Sequence, residues 1–298
     1  MTDFSKIKTF PIKERKHKVK VENILPLDSE YKKLESSDFN ELIEKIKESY
    51  KNNKMIIWMM GAHTIKTGQS SYIIELMKRG IIKHLATNGA CSIHDFELAF
   101  HGETSEYVEQ TISKGDWGMV QETGHYLNTA INQAAKNNEG YGYAVGKLID
   151  NLNCKNRHLS IFWNAYKLNI PITTHVAIGT DTIHHHPEAD GCAIGAATHT
   201  DFKLLTSSCS KLSDGIALNF GSAVIMPEAF SKALNTAINL GATITNLTTA
   251  NFDFLDQYRP KVNIVQRPTM HNGKGYNILE KHEITIPNLY NKLKGEFK

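Results

Sequence analysis

Five short stretches collect residue types that could hold a nucleotide or move a proton, and each follows an apolar run. They are Gly61-Ala62-His63-Thr64, Ala86-Thr87-Asn88-Gly89-Ala90 and Ala177-Ile178-Gly179-Thr180-Asp181. The other two are Asn219-Phe220-Gly221-Ser222-Ala223 and Thr248-Thr249-Ala250-Asn251-Phe252-Asp253. Glycine lets a backbone approach a ligand closely, and the helix that follows such a corner offers free N–H groups to a phosphate. Ordinary strand-to-helix turns use the same residues as caps, so composition alone leaves both readings open. Neither G-x-G-x-x-G nor G-x-x-x-x-G-K-[ST] is present.

Two further groups could do chemistry. His184 and His186, with Glu188 and Asp190 close behind, offer nitrogen and oxygen ligands to zinc or iron, without the spacing of H-E-x-x-H. A polar loop accounts for them equally. His94 and Asp95 open the helix after the second corner, where the dipole favours carboxylates without any function. Their place beside that corner keeps both as candidate substrate contacts. For a cationic amine, Asp181, Glu188, Asp190 and Asp253 are the available counter-charges. Trp58, Trp117 and Trp163 read as packing residues.

These corners need a scaffold that points them one way. Apolar runs at Met55–Met60, Ile81–Ala86, Pro171–Ile178, Gly215–Phe220 and Thr243–Thr248 lack polar alternation, as strands covered on both faces do. Helical patterns lie between them at Ser71–Arg79, Ile93–Phe100, Leu159–Leu168, Asp201–Leu212 and Pro227–Leu240. The expectation is a doubly wound, mainly parallel, Rossmann-like α/β sheet. Ahead of it, Asp38 with Glu41 resembles a capping box opening an amphipathic helix. Residues 101–157 break the rhythm and read as a helical insertion. Residues 1–36, rich in lysine, read as a solvated basic arm, and 37–298 as one domain.

With 298 residues and a net charge of +3, the chain can bury a large core and has no overall field for nucleic acid or an anionic membrane. No apolar run could span a bilayer, and no signal peptide is visible. Four scattered cysteines suit a reducing cytoplasm.

In this order, the corners resemble those of the deoxyhypusine synthase family, over roughly residues 50–290. The likeness is carried by Ile74–Asp95, Ser160–Ile183 and Gly215–Asp253. It implies an NAD-dependent enzyme that oxidises spermidine and passes an aminobutyl group, through an enzyme lysine imine, to a protein lysine. It also implies a homotetramer. By that resemblance Thr87, Asn88 and Gly89 fall where the family cradles NAD. Asn219 and Gly221 match its glycine turn, Thr249 and Ala250 its cofactor-contacting Thr-Ala, and His63 and Thr64 its Ser-Asn. Asp181 matches an acidic residue near the polyamine. The nucleophilic lysine is matched only by Lys274, in Asn272-Gly273-Lys274-Gly275. Ile225 replaces the family's spermidine-binding histidine, and Glu280-Lys281-His282-Glu283 stands where the family has A-D-A-S.

The resulting expectation is an NAD-dependent transferase or oxidoreductase acting on a polyamine or related amine. The alternatives are a non-catalytic nucleotide-binding or assembly paralogue, and a metal-dependent hydrolase centred on His184 and His186.

Overall fold

The order of strands in the main sheet decides where a ligand can sit. In the computed structural model, which describes residues 2–297, eight strands form two sheets. β1 (His17–Lys20) pairs antiparallel with β4 (Glu103–Glu106). The other six, β2 (Ile56–Met60), β3 (His84–Asn88), β5 (Ile172–His175), β6 (Ile216–Phe220), β7 (Thr248–Asp253) and β8 (Lys274–Leu279), run parallel in the order β5-β3-β2-β6-β7-β8. Numbered within the sheet this is 3-2-1-4-5-6, the doubly wound order whose switch point lies between β2 and β6.

The helices are α1 (Ser37–Lys51), α2 (His63–Lys66), α3 (Ser70–Lys78), α4 (Gly89–Phe100), α5 (Val108–Thr111) and α6 (Gln121–Asn137). α7 (Tyr141–Asn151), α8 (Ile161–Lys167), α9 (Gly191–Cys209), α10 (Ile225–Asn239), α11 (Tyr258–Pro260) and α12 (His282–Leu293) complete the set. Successive strand residues face opposite sides, so each strand feeds two cores. Ile56, Trp58, Met60, Phe220 and Phe252 pack with Phe39, Leu42 and Ile46 of α1, Leu76 of α3 and Ile286 of α12. Ile57, Met59 and Ala217 pack with Leu205 of α9 and Met226 and Phe230 of α10. Trp58, Phe220 and Phe252 stack in a row, with centroids 3.9 and 4.3 Å apart. No helix among the described residues is long and apolar enough to cross a membrane.

Several sequence expectations need correction. The fifth main-sheet strand is Thr248–Asp253, not Thr243–Thr248, because Asn246 adopts a left-handed φ of 52° and the ladder starts where the Thr248 N–H reaches the Gly215 carbonyl. A sixth strand, β8, follows it. α1 is capped by Ser36, whose hydroxyl accepts from the Phe39 N–H, rather than by Asp38 and Glu41. The arm is not a solvated tail. Ile12 is buried, β1 is paired, and the Arg15 guanidinium lies 2.6 Å from the buried Glu97 carboxylate. Trp117 is 41% exposed and so is no core residue.

Candidate functional site

The carboxyl ends of the strands separate into two neighbouring centres. The first is the switch point. Here Gly61 ends β2, and a Cβ on it would lie 2.7 Å from the Gly221 carbonyl. Gly221 follows β6 with φ +64°, a conformation that side chains disfavour. His282, at the start of α12, closes the corner from the end of β8, so that a Cβ on Gly221 would meet its Nε2 at 2.5 Å. Its ring is 5.8 Å from that of His63, and His63 is 6.0 Å from Phe254. His282 is 1% exposed, yet neither ring nitrogen has a hydrogen-bond partner. Burial, with His63 beside it, pushes its pKa down to about 4. A neutral buried imidazole with both nitrogens unused has hydrogen-bonding capacity that the protein itself does not fill.

The second centre is a cavity of about 250 Å³ between α4, the loop after β5 and the insertion. Its polar lining includes Arg15, Lys66, His94, Glu97, Glu106 and Asp181. The Asp181 side chain is 11% exposed and lies against the first turn of α4, where a Cβ on Gly89 would come within 2.1 Å of its Oδ2. That oxygen has no hydrogen-bond partner, and burial raises the carboxyl pKa to about 6. His184 stands 3.8 Å away through Nε2. Its Nδ1 accepts from the Gly179 and Asp181 N–H groups, which leaves the proton on Nε2.

His94 has a defined tautomer too. The Thr104 hydroxyl donates its one proton to Glu97 Oε2 (2.5 Å), so its 2.8 Å contact with His94 Nδ1 makes Nδ1 the donor and leaves Nε2 unprotonated. Burial pushes His94 down to about 4. Glu97 is saturated by Arg15, Thr104 and Thr123; burial works to raise its pKa, and the Arg15 charge prevails and holds it down. α2 bridges the two centres. Its first residue, His63, faces His282, and its last, Lys66, lines the cavity, about 4.5 Å further along the axis.

Of the residues selected from sequence, His63, Gly89, Gly221, His94 and Asp181 therefore gather at these centres, and Asn88 caps α4 beside them by accepting from the Cys91 N–H. The others are placed elsewhere. Thr87 is buried within β3 and donates to the Thr173 carbonyl. Thr64 is buried and donates back to the Gly61 carbonyl. Thr249 and Ala250 lie inside β7, level with Ala217 and Leu218, about 10–13 Å short of its carboxyl end.

Asn219 sits in β6 rather than in the turn. It forms a carboxamide ladder, donating to Asn251, which donates to Asn277. Asp95 caps α8, accepting from the Ile161 and Phe162 N–H groups and from Ser160. Asp190 caps α9 through the Cys192 and Ala193 N–H groups. Glu188 pairs with His125, and Asp253, at the end of β7, accepts from the Leu255 N–H.

Lys274 requires the largest correction. It is the first residue of a parallel strand, so it lies at the amino edge of the sheet, opposite both centres. It is exposed there and held by Glu41 at 2.5 Å. The metal reading of His184 and His186 also fails. His186 Nε2 donates to the Gly118 carbonyl at 2.8 Å and its ring packs against Gly124, while His184 faces Asp181. The one metal-compatible group among the described residues is elsewhere: His17, His101 and Glu103. His282 was missed. Two sequence signals bore on it: the resemblance sets Glu280-Lys281-His282-Glu283 at the family's A-D-A-S, and the alternation of Tyr276 and Ile278 marks β8 and puts His282 beyond its carboxyl end.

No protein-family model and no curated protein sequence matches the chain. Solved structures do. A candidate LOR/SDH protein from Methanococcus maripaludis matches at 15% identity and TM-score 0.52, over 91% of this chain and 74% of that one. AgrE, solved with ornithine and NAD+, matches at 11% and 0.54, over 89% of this chain and 34% of its own. An AgrE mutant with L-arginine bound gives 12% and 0.57. A candidate deoxyhypusine synthase from Entamoeba histolytica gives 13% and 0.51, over 88% of this chain and 89% of that one. The chain thus spans about a third of AgrE. At these identities the likeness shows the fold, a Rossmann-like, mostly parallel six-stranded sheet flanked by helices.

Proposed function

We propose that the chain is an NAD-dependent enzyme acting on a cationic amine, with the dinucleotide at the switch point and the amine in the Asp181 cavity. One observation carries this: α2 joins a corner holding a buried histidine with no hydrogen-bond partner to a cavity lined by Asp181, whose Oδ2 accepts no hydrogen bond. Ligands of doubly wound sheets sit at such corners. AgrE, of which this chain spans about a third, is solved with ornithine and NAD+ and, as a mutant, with L-arginine, and those two amino acids are cationic amines like the ligand that Asp181 suits.

His63, Gly221 and His282 would hold the cofactor, with Gly61 letting the Gly221 turn pack closely against β2. Bound NAD+ supplies a hydride acceptor. Asp181 and Glu106 hold the cationic nitrogen, and His94 Nε2 takes the proton that must leave before a C–N bond can be oxidised. If the product imine is passed to the enzyme, Lys66 is the lysine within the cavity, in place of Lys274. Transfer of the deoxyhypusine synthase type, with a polyamine such as spermidine as donor and a protein lysine or a small amine as acceptor, belongs to the same reading. So do a homotetramer and a cytoplasmic setting. Ile178, Val224, Phe254 and Leu255 are exposed on loops at the carboxyl edge, a surface that another copy would cover.

Calorimetric titration with NAD+, followed by NADH formation with arginine, ornithine and spermidine, tests the proposal. His282→Phe should weaken NAD+ binding tenfold or more. Borohydride trapping should label Lys66 and spare Lys274. NAD+ binding with no turnover of any amine would make the chain a non-catalytic nucleotide-binding paralogue. Absence of NAD+ binding would remove the proposal altogether.

A further inference from the structure

We propose a divalent transition-metal site formed by His17, His101 and Glu103, where the N-terminal arm meets the end of α4. His17 opens β1, His101 is the C-cap residue of α4, and Glu103 opens β4, which pairs with β1. One ligand atom from each lies within 4.8 Å of the other two. His17 Nδ1 and Glu103 Oε2 are 3.0 Å apart, close to the ~3.3 Å that separates two ligand atoms on one tetrahedral zinc. The imidazole rings of His17 and His101 are 5.1 Å apart and tilted by 46°.

A second observation points to a ligand. The His17 side chain is 2% exposed, and its Nε2 has no hydrogen-bond partner. Without a metal, Nδ1 carries the proton, facing the Glu103 carboxylate, and Nε2 is left with a free lone pair. Nδ1 can pass its proton to Nε2 and take a metal ion without breaking any bond but the one to Glu103, whose oxygen the ion then holds. The C-terminal end of twelve-residue α4, the negative pole of its dipole, also favours a cation beside His101. Nearby positive charges are already committed: Arg15 to Glu97, and Lys20 to Glu103 Oε1 at 2.6 Å. Two imidazoles and a carboxylate suit zinc and its neighbours rather than calcium or magnesium, and leave a fourth position for water. This inference stands independently of the NAD reading.

The test uses the full chain without an affinity tag, stripped with chelator and titrated with zinc chloride. Cobalt chloride, in parallel, reports tetrahedral ligation by its visible absorption. One zinc per chain and a raised melting temperature are expected. His101→Ala and Glu103→Gln, both partly exposed positions whose folding circular dichroism can check, should each weaken zinc binding at least tenfold. Failure to retain zinc, parental affinity in either variant, or loss of binding only on replacing His184 and His185 would overturn the site.

Discussion

An unpaired carboxylate inside a protein is held there at a cost. Burial raises Asp181 from 3.8 to about 6, with no hydrogen bond to its Oδ2 to offset it. In the unfolded chain the same group titrates near 3.8, so between these values the folded state binds the extra proton. Asp181 therefore contributes fully to stability below about pH 4, and that contribution is lost as pH rises through about 6. At pH 7, Asp181→Asn should raise stability by about 1–3 kcal/mol while weakening amine binding at least tenfold. Melts at pH 4.5 and 7 check it: the gain belongs at pH 7 and should largely vanish at 4.5. A variant that melts below the parent at pH 7 would make Asp181 a structural residue. At this scale the sequence was partly legible. Asp181 and His94 stood out because charged groups beside a glycine corner are conspicuous, whereas Lys274 misled because Asn272-Gly273-Lys274-Gly275 reads as a loop tip when it is the entrance to β8.

The elements were easier to find than their register. Unbroken apolar runs marked four of the six main-sheet strands, yet β7 was displaced because Thr248–Asp253 carries the polar residues expected of a corner. The structure gives those residues a different use. Asn219, Asn251 and Asn277 are directly paired across β6, β7 and β8, and their carboxamides form one chain ending on Asp256. Such a chain is invisible to hydropathy, since each member reads as a turn residue until its partners are aligned. The middle member serves both neighbours, so Asn251→Ala removes an acceptor from the fully buried Asn219 amide, which keeps its bond to the Ser222 carbonyl, and the donor to Asn277 Oδ1. Unfolding in urea should show a loss of about 2–4 kcal/mol, against about 1 kcal/mol for Asn277→Ala, whose side chain lies nearer solvent. Equal small losses in both would mean that the ladder contributes no more than its separate hydrogen bonds.

At the scale of the whole molecule, the arm completes the cavity wall. A run of lysines and arginines looks solvated by composition, and nothing near Arg15 in sequence announces that Glu97 and Glu106, more than eighty residues away, will enclose it. Its side chain is 5% exposed, that of Glu97 1% and that of Glu106 7%. A buried pair of this kind adds little net stability relative to apolar residues of similar shape, but removing one partner leaves the other charge stranded. Arg15→Ala should therefore cost about 3–5 kcal/mol and loosen the arm. Adding Glu97→Gln to Arg15→Met should recover part of that loss, because only Glu106 is then left without its cation. Denaturant unfolding of Arg15→Met, Glu97→Gln and the double variant closes the cycle. Limited proteolysis ahead of Glu22 reads the arm directly, and cleavage there should rise in Arg15→Ala and fall back in the double variant. If Arg15→Ala unfolds like the parent, Glu97 has other compensation, and the arm is held by Ile12 and the β1–β4 pairing alone.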